Sequence, residues 1–172
     1  MSNVIMNNPS DWFLKHFMAF KAGGDILDVA CGAGRHSVFL KDKGYQVTAV
    51  DIDIAALKER SFEDITLVQA DLEAEAWPFG DQQFDGIVVV NYLWRPLFEE
   101  LINSLKPGGV IIFDTFAVGN ERFGRPRNPD FLLRQGELRD VFAGFDIQAW
   151  EEGVREKPSP SVRQSIVARK PV

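Results

Sequence analysis

LDVACGAGRHS, residues 27–37, is the stretch on which the reading of the whole chain turns. A short apolar run leads into Gly32 and Gly34, and a helical pattern starts at Arg35. Glycine at these two positions lets the backbone turn tightly and approach a ligand closely. The helix starting near Arg35 would point free N–H groups at the same place. A Gly-x-Gly alone is a weak signal, so its flanks must carry the meaning.

Outward from this turn, apolar runs alternate with helical patterns. DILDVA (25–30) reads as a short buried strand, RHSVFLKDKG (35–44) as a helix stopped by Gly44, and YQVTAV (45–50) as a second strand. A helix over 55–62, a strand over 65–70 and a polar loop around Trp77-Pro78-Phe79 follow. FDGIVVV (84–90) is a continuous apolar run bounded by turn residues, the pattern of a central strand. PLFEELINSLK (96–106) reads as a helix with Pro96 in its first turn, ended by Pro107-Gly108-Gly109. VIIFDTF (110–116) is a fifth strand, and 137–145 is a helix. FDIQAWEEG (145–153) and SVRQSIVAR (161–169) are two closing strands around a Lys-Pro-Ser-Pro-Ser turn. Strands alternating with helices imply a parallel sheet covered on both faces, with the closing hairpin adding an antiparallel member.

Composition sets the bounds. The 172 residues are 45% hydrophobic and 26% charged, which suits one folded domain over 1–172. The formal net charge of −6 argues against nucleic acid and anionic membrane as partners. The charge is uneven: residues 121–172 hold 10 basic and 8 acidic side chains, a local +2. One cysteine, Cys31, forms no intramolecular disulfide, and MSNVIMNNPSDWF does not read as a signal peptide, so a cytoplasmic protein is expected. With no His/Cys cluster, no metal is implied.

In an open parallel sheet, ligands bind beyond the carboxyl ends of the strands, where strand order reverses. Three carboxylates fall at such ends. Asp28 lies just before the glycines, Asp51 ends the second strand, and Asp71 follows the third. Asp51 has about the spacing at which a carboxylate receives ribose hydroxyls. Carboxylates there accept hydrogen bonds from hydroxyls, an ammonium and an exocyclic amine, donors that occur together in S-adenosylmethionine (SAM).

At this point the chain resembles the class I SAM-dependent methyltransferases. LDVACGAGRHS, VDID (50–53), ADLE (70–73), FDGIVVVNYL (84–93) and LKPGGVIIFDTF (105–116) are similar to that family's motifs, in the family's order. The wording of residues 10–72 is similar to the tellurite-resistance branch. The resemblance implies a Rossmann-like, seven-stranded, mostly parallel sheet with helices on both faces and a C-terminal hairpin containing one antiparallel strand. It also implies SAM as cofactor and S-adenosylhomocysteine (SAH) as product. The cofactor-binding positions it implies are Asp28, Ala30, Gly32, Gly34, Asp51, Ile52, Asp71, Leu72 and Asn91. Asp28 would orient the loop and the ammonium, Asp51 would hold the ribose, and Ile52 would lie against the adenine. Asp71 and Leu72 would face the adenine edge. Asn91 would sit near the sulfonium, and Tyr92 and Trp94 beside the methyl acceptor.

A nicotinamide oxidoreductase shares Gly-x-Gly and Asp51, but Ser37 stands where the third glycine of G-x-G-x-x-G belongs. Asp28 would also oppose a pyrophosphate. A non-catalytic SAM-binding or partner subunit stays open. Cys31 and His36 read better as packing groups than as nucleophile and base. Asp85 and Asp114 read as ordinary strand-end residues, with Asp114 able to face the cavity. Residues 1–22 form either a lid, through Trp12, Phe13 and Phe17, or a helix packed on the sheet.

One segment does not match its surroundings. GNERFGRPRNPDFLL (119–133), within a loop spanning 117–136, carries three arginines in an acidic chain. Two readings stand. Arg122, Arg125 and Arg127 surround a polar or anionic small-molecule acceptor, since a guanidinium fork suits oxyanions. Or they pair with Glu121, Asp130 and Glu137. The loop departs from the tellurite-resistance pattern, which counts against a tellurium or selenium oxyanion. The reaction implied is in-line methyl transfer to a small acceptor, by a monomer or homodimer.

Overall fold

The computed structural model describes residues 8–172. Part of the 1–22 segment and of the stretch read for a signal peptide, residues 1–7, lies outside the described residues. Seven strands form one sheet: β1 (Asp25–Val29), β2 (Gln46–Asp51), β3 (Ile65–Gln69), β4 (Phe84–Val90), β5 (Leu105–Phe116), β6 (Asp146–Arg155) and β7 (Ser161–Arg169). Their order is β3-β2-β1-β4-β5-β7-β6. β1 to β5 run parallel, and β7 is antiparallel to both β5 and β6. The α/β class, the seven strands and the antiparallel hairpin are as the sequence implies.

The helices are α1 (Asp11–His16), α2 (Arg35–Asp42), α3 (Ala55–Glu59), α4 (Phe98–Asn103) and α5 (Glu137–Val141). Side chains alternate across each strand, so the central strands feed two cores. Leu27, Val29, Ile87, Val89, Ile111 and Phe113 face one; Ile26, Val88, Val90, Val110 and Ile112 face the other. That double burial explains the unbroken apolar runs of β4 and β5. Each buried aliphatic side chain stabilises the fold by roughly 1.5–3 kcal/mol.

Three helices are shorter than their patterns suggest. The expected 96–106 helix opens as a 3-10 turn over Arg95–Leu97 and stops at Asn103. The Ser104 carbonyl accepts the Phe84 N–H at 2.8 Å instead of an intrahelical donor, and Pro107 pushes Lys106 out of helical geometry. Leu105–Gly109 therefore joins β5. The helices expected over 55–62 and 137–145 end at Glu59 and Val141. β6 runs two residues beyond Gly153, to Arg155.

α1 packs on the sheet. Phe13 is fully buried, its ring edge-on to His36 and Phe39 of α2. Trp12 Nε1 donates to the Ile166 carbonyl of β7 at 3.4 Å. Ser10 caps the helix, its Oγ accepting the Phe13 N–H at 3.2 Å.

Candidate functional site

Strand order reverses between β1 and β4, which opens a crevice beyond their carboxyl ends. Two non-glycine residues with positive φ stand at this crevice: Ala30 (53°) after β1 and Asn91 (55°) after β4. Such backbone is costly and collects at functional sites.

The turn after β1 carries Gly32 (φ 55°) and Gly34 (φ 86°). Their surroundings differ. A Cβ at Gly34 would run into the Leu57 side chain of α3, so this glycine permits close packing. A Cβ at Gly32 would meet nothing within 4 Å, so Gly32 faces open space. Asp51 ties this turn to β2, its Oδ2 accepting the Gly32 N–H at 2.9 Å and its Oδ1 the Asp53 N–H at 3.0 Å. Asp28 lies behind the turn, 2% exposed, accepting from Ser37 Oγ at 2.6 Å. Burial pushes its carboxyl up to about 7, against the pull of the Ser37 hydrogen bond. Ser37 thus fills with a polar side chain the position where a dinucleotide turn needs glycine.

Beside the turn is a cavity of about 320 Å³ lined by Ala30, Asp51, Ile52, Ala70, Asp71, Leu72, Glu73 and Tyr92. Ile52 is 61% exposed, an apolar surface left uncovered next to a carboxylate. Asp71 Oδ1 accepts the Glu73 N–H at 3.0 Å. Burial, and then the charges of Glu73, Asp71 and Asp51, push the Tyr92 hydroxyl well up. The volume is within the range of small-molecule sites. Three carboxylates, an exposed apolar side chain and an open glycine suit a ligand with hydroxyls, an amine and a flat ring. SAM fits that description.

A second cavity, of about 460 Å³, opens on the other side of the β4 end. Its polar groups meet at Asp114 of β5, which is 1% exposed. Asp114 accepts from Ser10 Oγ at 2.8 Å, Ser165 Oγ at 2.6 Å, Arg163 Nε at 3.0 Å and Arg155 Nη1 at 3.2 Å. Desolvation opposes its ionisation, yet the two guanidiniums and Ser165 hold its carboxyl below the usual range. Arg163 Nη2 also donates to Asn91 Oδ1 at 2.5 Å, and the Asn91 N–H donates to the Asp114 carbonyl at 2.9 Å. Asn91 lines this cavity, while its neighbour Tyr92 lines the first. Arg35 and Lys157 line the second cavity too. Sequence reasoning did not select Arg35, Arg155, Lys157 or Arg163. The available signal was that Arg163, Gln164 and Ser165 share a strand with the apolar Ile166, Val167 and Ala168, and buried polar groups need partners.

The loop arginines lie elsewhere. Arg122, Arg125 and Arg127 are exposed and line neither cavity. Arg122 Nε donates to the Gly119 carbonyl at 3.1 Å, and its guanidinium lies over Phe123. None of the three forms an ion pair with Glu121, Asp130 or Glu137 among the described residues. Glu137 is held by Arg95, with Nε–Oε1 at 2.6 Å and Nη2–Oε2 at 3.0 Å. Arg95 also donates to the carbonyls of Asp130 and Leu132, so it anchors the loop from outside. Trp94 packs against the core and lines neither cavity.

The remaining candidates are packing groups. Burial, then the charges of Asp28 and Asp51, push the Cys31 thiol well up, away from the reactive thiolate. Burial, then Arg35, lowers His36 to about 3, and its Nε2 accepts the Ser10 N–H at 3.0 Å. Asp85 lies at the opposite edge of the sheet, accepting from the Asp25 N–H and Lys106. Among the described residues no His/Cys/Asp/Glu group could hold a metal, and no helix is long and apolar enough to cross a membrane.

The chain has the class I SAM-dependent methyltransferase fold. A methyltransferase-domain family model matches residues 26–109. Over 93% of this chain the fold is similar to that of TehB from Haemophilus influenzae, with a TM-score of 0.75 and 20% identity, covering 61% of that chain. It is similar over 96% of its length to all of a SAM-dependent methyltransferase from Methanosarcina mazei, at a TM-score of 0.73 and 18% identity. In sequence it is 37% identical over 100 residues to a malonyl-acyl-carrier-protein O-methyltransferase from Enterobacter lignolyticus (strain SCF1), covering 54% of this chain and 39% of that one. The chain spans about two fifths of the length of the first curated relatives it matches. In fold and in sequence the chain is similar to SAM-dependent methyltransferases.

Proposed function

We propose that the protein transfers a methyl group from SAM to a small polar or anionic acceptor by in-line displacement. The observation that carries this reading is the pair of cavities meeting at Asn91 and Tyr92: one acidic and suited to an adenosyl group, the other rich in arginine. When bound, SAM would supply an already activated methyl on its sulfonium. On this reading Asp51 accepts the ribose hydroxyls, Ile52 and Leu72 cover the adenine, and Asp71 accepts from its amine. Gly32 leaves room for the methionine portion, while Gly34 and Asp28 hold the turn from behind. Asn91, fixed by Arg163, marks the boundary between donor and acceptor. The chain's contribution is to place the two partners and exclude water. Tyr92 stands on the donor side of that boundary, and Arg122, Arg125 and Arg127 lie outside both cavities.

Calorimetric titration with SAM and SAH tests the cofactor assignment, with Asp51→Ala beside the wild type. Expected is binding that weakens in the variant; wild-type chain that ignores both ligands and binds NADH sinks the reading. A non-catalytic SAM-binding or partner subunit is the alternative reading. SAH formation with any acceptor excludes it.

A further inference from the structure

We infer that the second cavity is a binding site for a small organic carboxylate, with its anionic head between Arg35 and Arg163 and its apolar body against Phe116, Val90 and Pro158. Its role as acceptor site rests on the methyltransferase reading; its ligand chemistry does not.

The lining carries four cations, Arg35, Arg155, Lys157 and Arg163, against two carboxylates, Asp11 and Asp114. This excess stands in a chain of net charge −6. Asp114 does not oppose an incoming anion at full strength, because two guanidiniums and two hydroxyls already surround it. Arg163 is 9% exposed and spends Nε and Nη2 on Asp114 and Asn91. Its Nη1 carries no hydrogen bond among the described residues. The Phe116 ring, 4.4 Å from the guanidinium carbon, covers one face of the fork and leaves its edge to a ligand.

Arg35 donates through Nη1 to the Asn8 carbonyl at 3.0 Å, which leaves its other nitrogens available. Burial, and then the charge of Arg163, make the Arg35 guanidinium easier to deprotonate than usual. Two guanidiniums sharing one cavity repel each other, and an anion between them turns that repulsion into two attractions. A guanidinium fork matches a carboxylate in shape as well as charge. The apolar share of the lining argues for an organic body over a bare inorganic ion, which would leave Phe116 and Val90 wetted.

The test is calorimetric titration of the SAH-saturated full chain with benzoate, with its neutral analogue benzamide and with inorganic phosphate. Expected is benzoate binding that weakens with added salt, and benzamide binding at least ten-fold weaker. Arg35→Gln is expected to weaken benzoate about ten-fold, and the exposed Lys157→Gln severalfold, with SAH affinity unchanged in both. Equal binding of benzoate and benzamide, benzoate affinity indifferent to both substitutions, or phosphate bound in preference to benzoate overturns the inference. So does absence of benzoate binding at millimolar concentration. The same titrations without SAH separate the two readings: benzoate bound by a chain that ignores SAH and SAM sinks the methyltransferase reading alone.

Discussion

Asp51 Oδ2 and the Gly32 N–H stand 2.9 Å apart, so the end of β2 grips the tip of the turn that follows β1. The contact orders a glycine at which an added Cβ would meet nothing within 4 Å. It also aims the carboxylate across the mouth of the first cavity. One side chain therefore shapes the cofactor loop and presents an acceptor to the ligand.

Asp51→Ala is expected to weaken SAH binding about ten-fold or more, the loss of at least one charge-assisted contact of about 1.5–3 kcal/mol. Titration calorimetry measures it. Unchanged affinity would remove Asp51 from the site.

The two glycines of the turn are expected to fail differently. Gly34→Ala combines a positive φ of 86° with a collision against Leu57, and should destabilise the fold by about 2–4 kcal/mol in urea unfolding. Gly32→Ala meets no neighbour and should cost about 1–2 kcal/mol from its φ alone, with SAH affinity falling more than stability does. Equal stability losses would contradict this division.

Asp28 and His36 give opposite pH slopes. The folded Asp28 keeps its proton up to about 7, whereas an unfolded aspartate releases it near 4. Its contribution to stability is complete below about pH 4 and is lost as pH rises through about 7. The folded His36 stays neutral down to about 3, whereas the unfolded ring takes a proton below about 6.5. Its contribution is present above about 6.5 and is lost as pH falls. Asp28→Asn removes the first slope only. Relative to wild type, the variant should gain stability from about pH 4 to 7, by on the order of a few kcal/mol. Urea unfolding across that range checks it, and a constant difference would rule it out.

Asp114→Asn leaves the Arg155 and Arg163 guanidiniums without their shared counter-charge in a buried setting. A loss of about 3–5 kcal/mol is expected in urea unfolding. A loss under about 1 kcal/mol would mean that water reaches these groups.

Arg95→Ala should loosen the loop over 117–136, since Arg95 bridges Glu137 and the carbonyls of Asp130 and Leu132. Limited trypsin digestion is expected to cut severalfold faster after Arg122 and Arg127, with SAH affinity preserved. Unchanged cleavage would locate the anchor elsewhere.

What could be read from the sequence follows from how locally each feature is encoded. β1 to β5 announce themselves by apolar runs, and Asp51, Ile52, Asp71 and Leu72 line one cavity because they stand at or just beyond the carboxyl ends of β2 and β3 in a parallel sheet. The second cavity had no such shortcut. Arg155 and Arg163 reach it through the antiparallel register that sets Ser165 opposite Asp114 and Arg163 opposite Phe116, a pairing no single segment specifies. The loop arginines drew attention by composition, yet Arg95, from a different connection, fixes that loop. Ser104 ended a helix early because its partner, Phe84, is twenty residues upstream.

The carboxylate of Asp114 also joins distant parts of the chain. Ser10 lies 104 residues before it and Ser165 lies 51 after, and Trp12 binds Ile166 across 154 residues. The first helix therefore completes its anchorage only once the last strand exists. During synthesis Phe13 can pack on His36 and Phe39 of α2 early, whereas Trp12 must wait for Ile166 until β7 has left the ribosome. Such long-range closure slows folding, and it makes the contact of α1 with β7 the place where an unfinished protein would meet a chaperone.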